Sequence, residues 1–200
     1  MKTLHRPNLF GWSVFDESRN VDFHSVLWRR QSGNVAFDPL PLSAHDERHL
    51  EALGGVALVV LTNSDHVRDA RTLVEKTGAR VAGPRAERDR FPIRCDEWLG
   101  EGDEPLPGLR VLELAGSKTE GELAFLLEGH TLVTGDLVRA HEAGRLTILP
   151  DGKLQDRARA VLSVRRLSAL PGVEAVLVGD GWPVFRDGKR VLEELAASLG

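Results

Sequence analysis

Runs of apolar residues broken by polar turns divide the chain into short elements. The first forty residues read as three strands, "LFGWSVF" (9–15), "DFHSVLWRR" (22–30) and "NVAFDPL" (34–40). Gly33-Asn34, following Gln31-Ser32, supplies the turn between the last two. Ser43 opens a helix with Asp46 three residues on as its capping partner, and Gly54-Gly55 closes it. "VALVVL" (56–61) is an apolar strand between two helices, so a parallel, buried strand is expected. Residues 67–77 carry the next helix, Gly78 ends it, and "ARVAGP" (79–84) is another short strand. From Trp98 onward, strand-like runs alternate with Gly, Pro and acidic turns in the manner of a β-meander. A polar helix around 155–169, the strand "VEAVLVG" (173–179), the loop "DGW" and an amphipathic helix over 187–199 complete the chain. Two sheets, each with helices on its outer side, accommodate this order.

Composition narrows the class. Two hundred residues are enough for one domain with a core, and residues 1–200 are read as one domain. The formal net charge of −4 offers no basic footprint for nucleic acid, and the Arg29-Arg30 and Arg165-Arg166 pairs are too short to make one. No run approaches the roughly 18 apolar residues that a membrane span needs, and "MKTLHRPNLFGWSVFDE" has no signal-peptide core. A single cysteine, Cys95, rules out an internal disulfide framework. The expectation is a cytoplasmic protein that meets neither membrane nor nucleic acid; oligomeric state is not readable.

Three strand ends each deliver an aspartate: Asp65 after "VVLTNS", Asp136 in "LVTGD" and Asp180 in "VLVGDG", with His66 beside the first. Open α/β sheets place their chemistry at such ends. A carboxylate there can equally cap the next helix or turn. Three of them with an adjacent imidazole make a candidate cluster for a hard or borderline cation.

These segments resemble the metallo-β-lactamase superfamily, especially its glyoxalase II-like hydrolases, from about Asn34 to Gly181. "NVAFD" is similar to the family's opening strand and puts Asp38 at its structural aspartate. "LTNSDH" stands where the family carries H-x-H-x-D-H. "GDEPLPGLRVLELAGSKTEGELAFLL" follows the family's hairpin and the loop after it, "LVTGDLV" matches the strand that supplies a bridging aspartate, and "VLVGDGW" stands at the last histidine motif. The resemblance implies an α/β (α+β) fold, a four-layer αββα sandwich with the site on one edge.

The departures from those motifs shape the expected chemistry. Leu61 and Asn63 replace two histidines, Lys118 or Ser117 falls on a third, and Asp180 replaces the last. The first metal site of the family is therefore expected to be lost. The resemblance maps the second site to Asp65, His66, Asp136 and Asp180, three carboxylates and one imidazole. That set leans towards Mn, Fe or Mg, with Zn also accepting Asp and His, and the resemblance implies a small-molecule substrate. One divalent ion would activate water against an ester, thioester, amide or phosphoester. Lys118 would stabilise the oxyanion, and Asp65 and Asn63 would complete the catalytic group. Asp38, Ser117, Thr119 and Trp182 would surround it. The alternative is a non-catalytic, ligand-binding member with no metal, in which the Lys118 ammonium replaces the lost charge.

Other features carry less. His130 in "EGHTL" belongs to a hairpin turn, and His45 and His49, four residues apart in "HDERH", read as a solvated helix face without a third ligand. Cys95 in "PIRCDEW" reads as a packed thiol. Ser117-Lys118 is no dyad, because neighbours on an extended loop point apart.

Overall fold

The computed structural model describes residues 1–200. Seven strands form the first sheet in sequence order: β1 (Lys2–Thr3), β2 (Leu9–Asp16), β3 (Val21–Trp28), β4 (Val35–Phe37), β5 (Leu58–Val60), β6 (Arg80–Pro84) and β7 (Glu97–Leu99). The pairs β1–β2, β2–β3 and β3–β4 are antiparallel, whereas β4 to β7 run parallel. Two helices, α1 (Ala44–Ala52) and α2 (Ala70–Thr77), connect β4 to β5 and β5 to β6. Ser43 caps α1, accepting from the Asp46 backbone N–H, and Gly78 ends α2 in the left-handed conformation.

The second sheet begins with the meander β8 (Leu109–Glu113), β9 (Leu123–Leu127) and β10 (Thr131–Thr134). A separate hairpin, β11 (Val138–Glu142) and β12 (Arg145–Ile148), precedes α3 (Arg157–Ser168). The chain then adds β13 (Ala175–Val178) parallel to β10, giving the order β13-β10-β9-β8, and ends in α4 (Gly188–Ser198).

Three apolar layers separate four structural ones. Strand alternation sends Val60 to one face of the first sheet and Val59 and Leu61 to the other. Leu61 packs with Leu50 of α1 and Leu73 of α2. Val60 joins Trp28, Phe37, Leu123 and Phe125 between the sheets, where the Phe37 and Phe125 ring centroids lie 5.5 Å apart. Leu126, Leu132 and Val176 face Val164 and Leu167 of α3 and Leu192 and Leu195 of α4. Each such side chain is worth roughly 1.5–3 kcal/mol on burial, so these layers hold the αββα sandwich together.

Two elements differ from the pattern-based reading. The helix expected over 67–77 begins only at Ala70, because residues 64–66 form a separate 3-10 turn and Arg68 has φ +45°. That left-handed residue interrupts any continuous helix. The stretch from Trp98 is also not wholly meander, since β7 closes the first sheet and the meander starts at β8.

The arrangement brings the carboxyl ends of β4, β5, β10 and β13 to one edge. Asp38 follows β4, Thr62 and Asn63 follow β5, Asp136 follows β10, and Asp180 follows β13. Thr62 O accepts from Leu123 N at 2.7 Å, and Asp180 bridges Phe23 across the sheets.

Candidate functional site

The centre of this edge is built around Asp38. Its Oδ1 accepts from the Thr62 backbone N–H at 2.8 Å, and its Oδ2 accepts from the Thr62 hydroxyl at 2.6 Å. The same Oδ2 lies 2.8 Å from His66 Nδ1. Asp38 itself sits at φ +44°, held by the Ser25 hydroxyl, which donates to its carbonyl at 2.6 Å. Asn63 makes the 3-10 turn that presents His66: its Oδ1 accepts from the N–H groups of Asp65 and His66 at 2.9 and 3.1 Å. The Asn63 amide then donates to Asp136 Oδ2 at 3.3 Å.

His66 is thus buried between two carboxylates, with Nε2 3.7 Å from Asp136 Oδ2. Burial and the nearby Arg68 guanidinium oppose its protonation, but Asp38 and Asp136 outweigh them and raise the imidazole to about 9. Burial acts to raise Asp136, yet the same His66 contact, with Lys118 and Arg139, holds it below the ordinary carboxylate range. Gly135 allows this approach: a Cβ there would lie 2.6 Å from Thr62 Oγ1.

Asp65 and Asp180 do not join this centre. Asp65 is half-exposed and ion-paired to Lys118, itself 43% exposed. Burial works against the Lys118 charge, but its hydrogen bond to Asp65 keeps the ammonium above its ordinary value. Asp180 is buried and ion-paired to Arg139, and its Oδ1 lies 3.5 Å from Arg68 Nη2. Arg68 also donates to the carbonyls of His24 at 2.6 Å and Asp38 at 3.1 Å. Ser117 is buried and donates to Glu122, while Thr119 keeps a buried hydroxyl without a partner. Trp182 is 56% exposed, and Phe185, three residues on, is exposed as well.

The expected four-ligand set therefore does not assemble, and no group of three His, Cys, Asp or Glu side chains is placed to hold a metal ion. The physical reason is the pairing of each donor. His66 Nδ1 is taken by Asp38, Asp180 faces two guanidiniums, and Asp65 faces an ammonium. These residues do not fit a divalent ion in this arrangement.

Sequence reasoning missed three members of the edge. Arg68, two residues beyond His66, and Arg139, a lone charge in the apolar stretch "LVRA", neutralise Asp180. Glu122, fully enclosed at the start of "ELAFLL", accepts from Leu137 N at 2.8 Å and from Ser117. Burial, reinforced by Asp136, pushes its carboxyl up to about 8, so it is largely protonated at neutral pH. A lone charge beside or within an apolar run was the available signal for both Arg139 and Glu122.

The family model described as the metallo-beta-lactamase superfamily matches residues 1–199. The chain belongs to the metallo-β-lactamase superfamily. Among its curated superfamily relatives, a hydroxyacylglutathione hydrolase of Cereibacter sphaeroides is 39% identical over 137 residues, covering 65% of this chain and 49% of that protein. The Ectopseudomonas mendocina hydroxyacylglutathione hydrolase is 37% identical over 143 residues, covering 70% and 52%. The chain spans about half the length of the curated relatives it matches. Solved superfamily structures share the fold. The metallo-beta-lactamase family protein TTHA1429 from Thermus thermophilus superposes with a TM-score of 0.73 at 20% identity, over 96% of this chain and 79% of that one. DIM-1 metallo-beta-lactamase superposes with a TM-score of 0.74 at 15% identity, over 98% and 95%. TTHA1623, solved in a di-iron-bound form, gives 0.69 at 22% identity, over 92% and 98%.

Proposed function

We propose that this chain is a small-molecule-binding member of the superfamily whose site is balanced by its own cations in place of a metal ion. Charge closure at the sandwich edge supports this reading. Four carboxylates, Asp38, Asp65, Asp136 and Asp180, face four cations, His66, Lys118, Arg68 and Arg139. A divalent ion entering this cluster would meet a neutral set and would have to displace buried ion pairs, at a cost of several kcal/mol. The half-exposed Asp65–Lys118 pair offers one acceptor and one donor group to a small polar ligand at the mouth. The formal charge of −4 argues against nucleic acid as that ligand.

A second reading, hydrolysis of an ester or thioester, is supported by the relatives named hydroxyacylglutathione hydrolases. Metal analysis of protein purified without chelators separates the two. The binding reading expects no stoichiometric divalent ion and no change in Tm on adding Zn, Mn or Fe(II). One ion per chain, lost in Asp136→Asn together with a raised Tm, favours the hydrolase, and a screen of ester, thioester and phosphodiester substrates then follows.

A further inference from the structure

Beside the charged edge, the two sheets part along one side and leave a cleft of about 510 Å³ between β2, β3 and the chain around β13. Small residues create it. On β2 the positions facing the second sheet between buried Leu9 and exposed Phe15 are Gly11, which the Leu4 side chain covers, and Ser13, so the layer that Leu9 fills thins out further along the strand. Opposite lie Leu177 and Pro183, and Trp182 and Phe185 form an exposed aromatic rim. The volume and the mainly apolar lining are those of a small-molecule site.

The charges around the cleft have one sign left over. Lys2 pairs in register with Gly11, so its side chain lies on the cleft face of the sheet, and it makes no ion pair. Asp46, the one carboxylate in the lining, is engaged by the Met1 amino group and the Ser43 hydroxyl. Burial keeps the His24 imidazole in the lining below its ordinary value, so it adds no charge at neutral pH. Leu4 and Phe185 continue into a neighbouring cavity of about 610 Å³. There Arg6 is spent on Glu174, whereas Arg186 has no acidic partner.

We propose that this lateral cleft is a binding site for an amphipathic organic acid, its apolar chain lying over Ser13 between Leu4 and Leu177 and its carboxylate at Lys2. The cleft adjoins the charge-balanced edge through His24 and Ser25, whose carbonyl and hydroxyl bond Arg68 and Asp38, but the proposal does not rest on the function proposed there. Apolar enclosure supplies the affinity and the unpaired ammonium selects the sign of the head group.

Calorimetric titration of the full chain with decanoate, decanol and decyltrimethylammonium tests it. Decanoate is expected to bind one to one, decanol at least tenfold more weakly, and the cation more weakly still. Ser13→Phe, on an exposed strand position, fills the cleft and removes decanoate binding. Lys2→Glu weakens decanoate at least tenfold and leaves decanol unchanged. Trp182→Ala, at the exposed rim, weakens decanoate and decanol alike and serves if Ser13→Phe fails to fold. The proposal is overturned by absence of decanoate binding, by equal binding of the cation, or by decanoate affinity indifferent to both cleft variants.

Discussion

His66 Nδ1 lies 2.8 Å from Asp38 Oδ2, and both side chains are buried. The histidine reaches the aspartate because the Asn63 side chain turns the chain just after β5, while the left-handed backbone at Asp38 brings its carboxylate back over Thr62. A buried charge of this kind persists only when paired. The imidazolium is the partner that keeps Asp136 ionised inside the fold, and its other nitrogen bonds Asp38.

Stability is therefore expected to fall as pH rises. A histidine raised from 6.5 to about 9 contributes its full stabilisation below pH 6.5 and loses it as pH climbs through 9. The shift corresponds to about 3 kcal/mol. Urea denaturation at pH 6, 7.5 and 9 should show this decline, and His66→Gln should flatten it while lowering stability at pH 6. An unchanged slope in the variant would assign the pH dependence elsewhere.

Glu122 contributes in the same direction by a different route. Its carboxyl, raised from 4.5 to about 8 by burial, is ionised in the unfolded chain at neutral pH but largely protonated when folded. The folded state thus loses stability relative to the unfolded state as pH rises from 4.5 to 8. Glu122→Gln keeps an oxygen for Leu137 N, bonds Ser117 with the hydroxyl turned to accept from the amide, and removes that cost. Stability should rise by about 1–3 kcal/mol at pH 7.5, with no gain at pH 4, as read by chemical denaturation.

The Arg139–Asp180 pair is expected to be the most sensitive contact of the edge. Arg139→Met leaves a buried carboxylate with only Arg68, at 3.5 Å. Removing one partner of a buried pair costs roughly 3–5 kcal/mol. The double variant Arg139→Met with Asp180→Asn should recover most of that loss. Lys118→Ala, in contrast, breaks a pair that is nearly half exposed and should change stability by less than ~1 kcal/mol. Comparable losses for the two single variants would contradict this ranking.

Cys95 is buried, and burial pushes its thiol up to about 12. The thiolate is the reactive form, so a thiol reagent should label Cys95 in the native protein only as fast as the protein opens. Rapid native labelling at pH 7.5 would show the thiol to be accessible.

Much of the architecture was written in local pattern. The apolar run 56–61, bounded by helices, had to be a buried parallel strand, and Gly78 had to end a helix in the left-handed conformation. The motifs "NVAFD", "LTNSDH", "LVTGD" and "VLVGD" likewise pointed to strand ends, because apolar runs stopping in polar residues are local signals that survive folding. The start of α2 was not legible, since it depends on the Arg68 backbone, whose guanidinium is drawn to carbonyls on β3 and after β4.

What the chain order alone determined is which carboxylates reach the edge; what the tertiary structure decided is which cation each one meets. Asp180 and Arg139 are 41 residues apart, and Asp136 comes against His66 only when the two sheets pack. Ion pairing depends on distances of a few ångströms in space, and in a sandwich those distances are set by how the sheets stack. The spacing of residues along the chain carries no record of them.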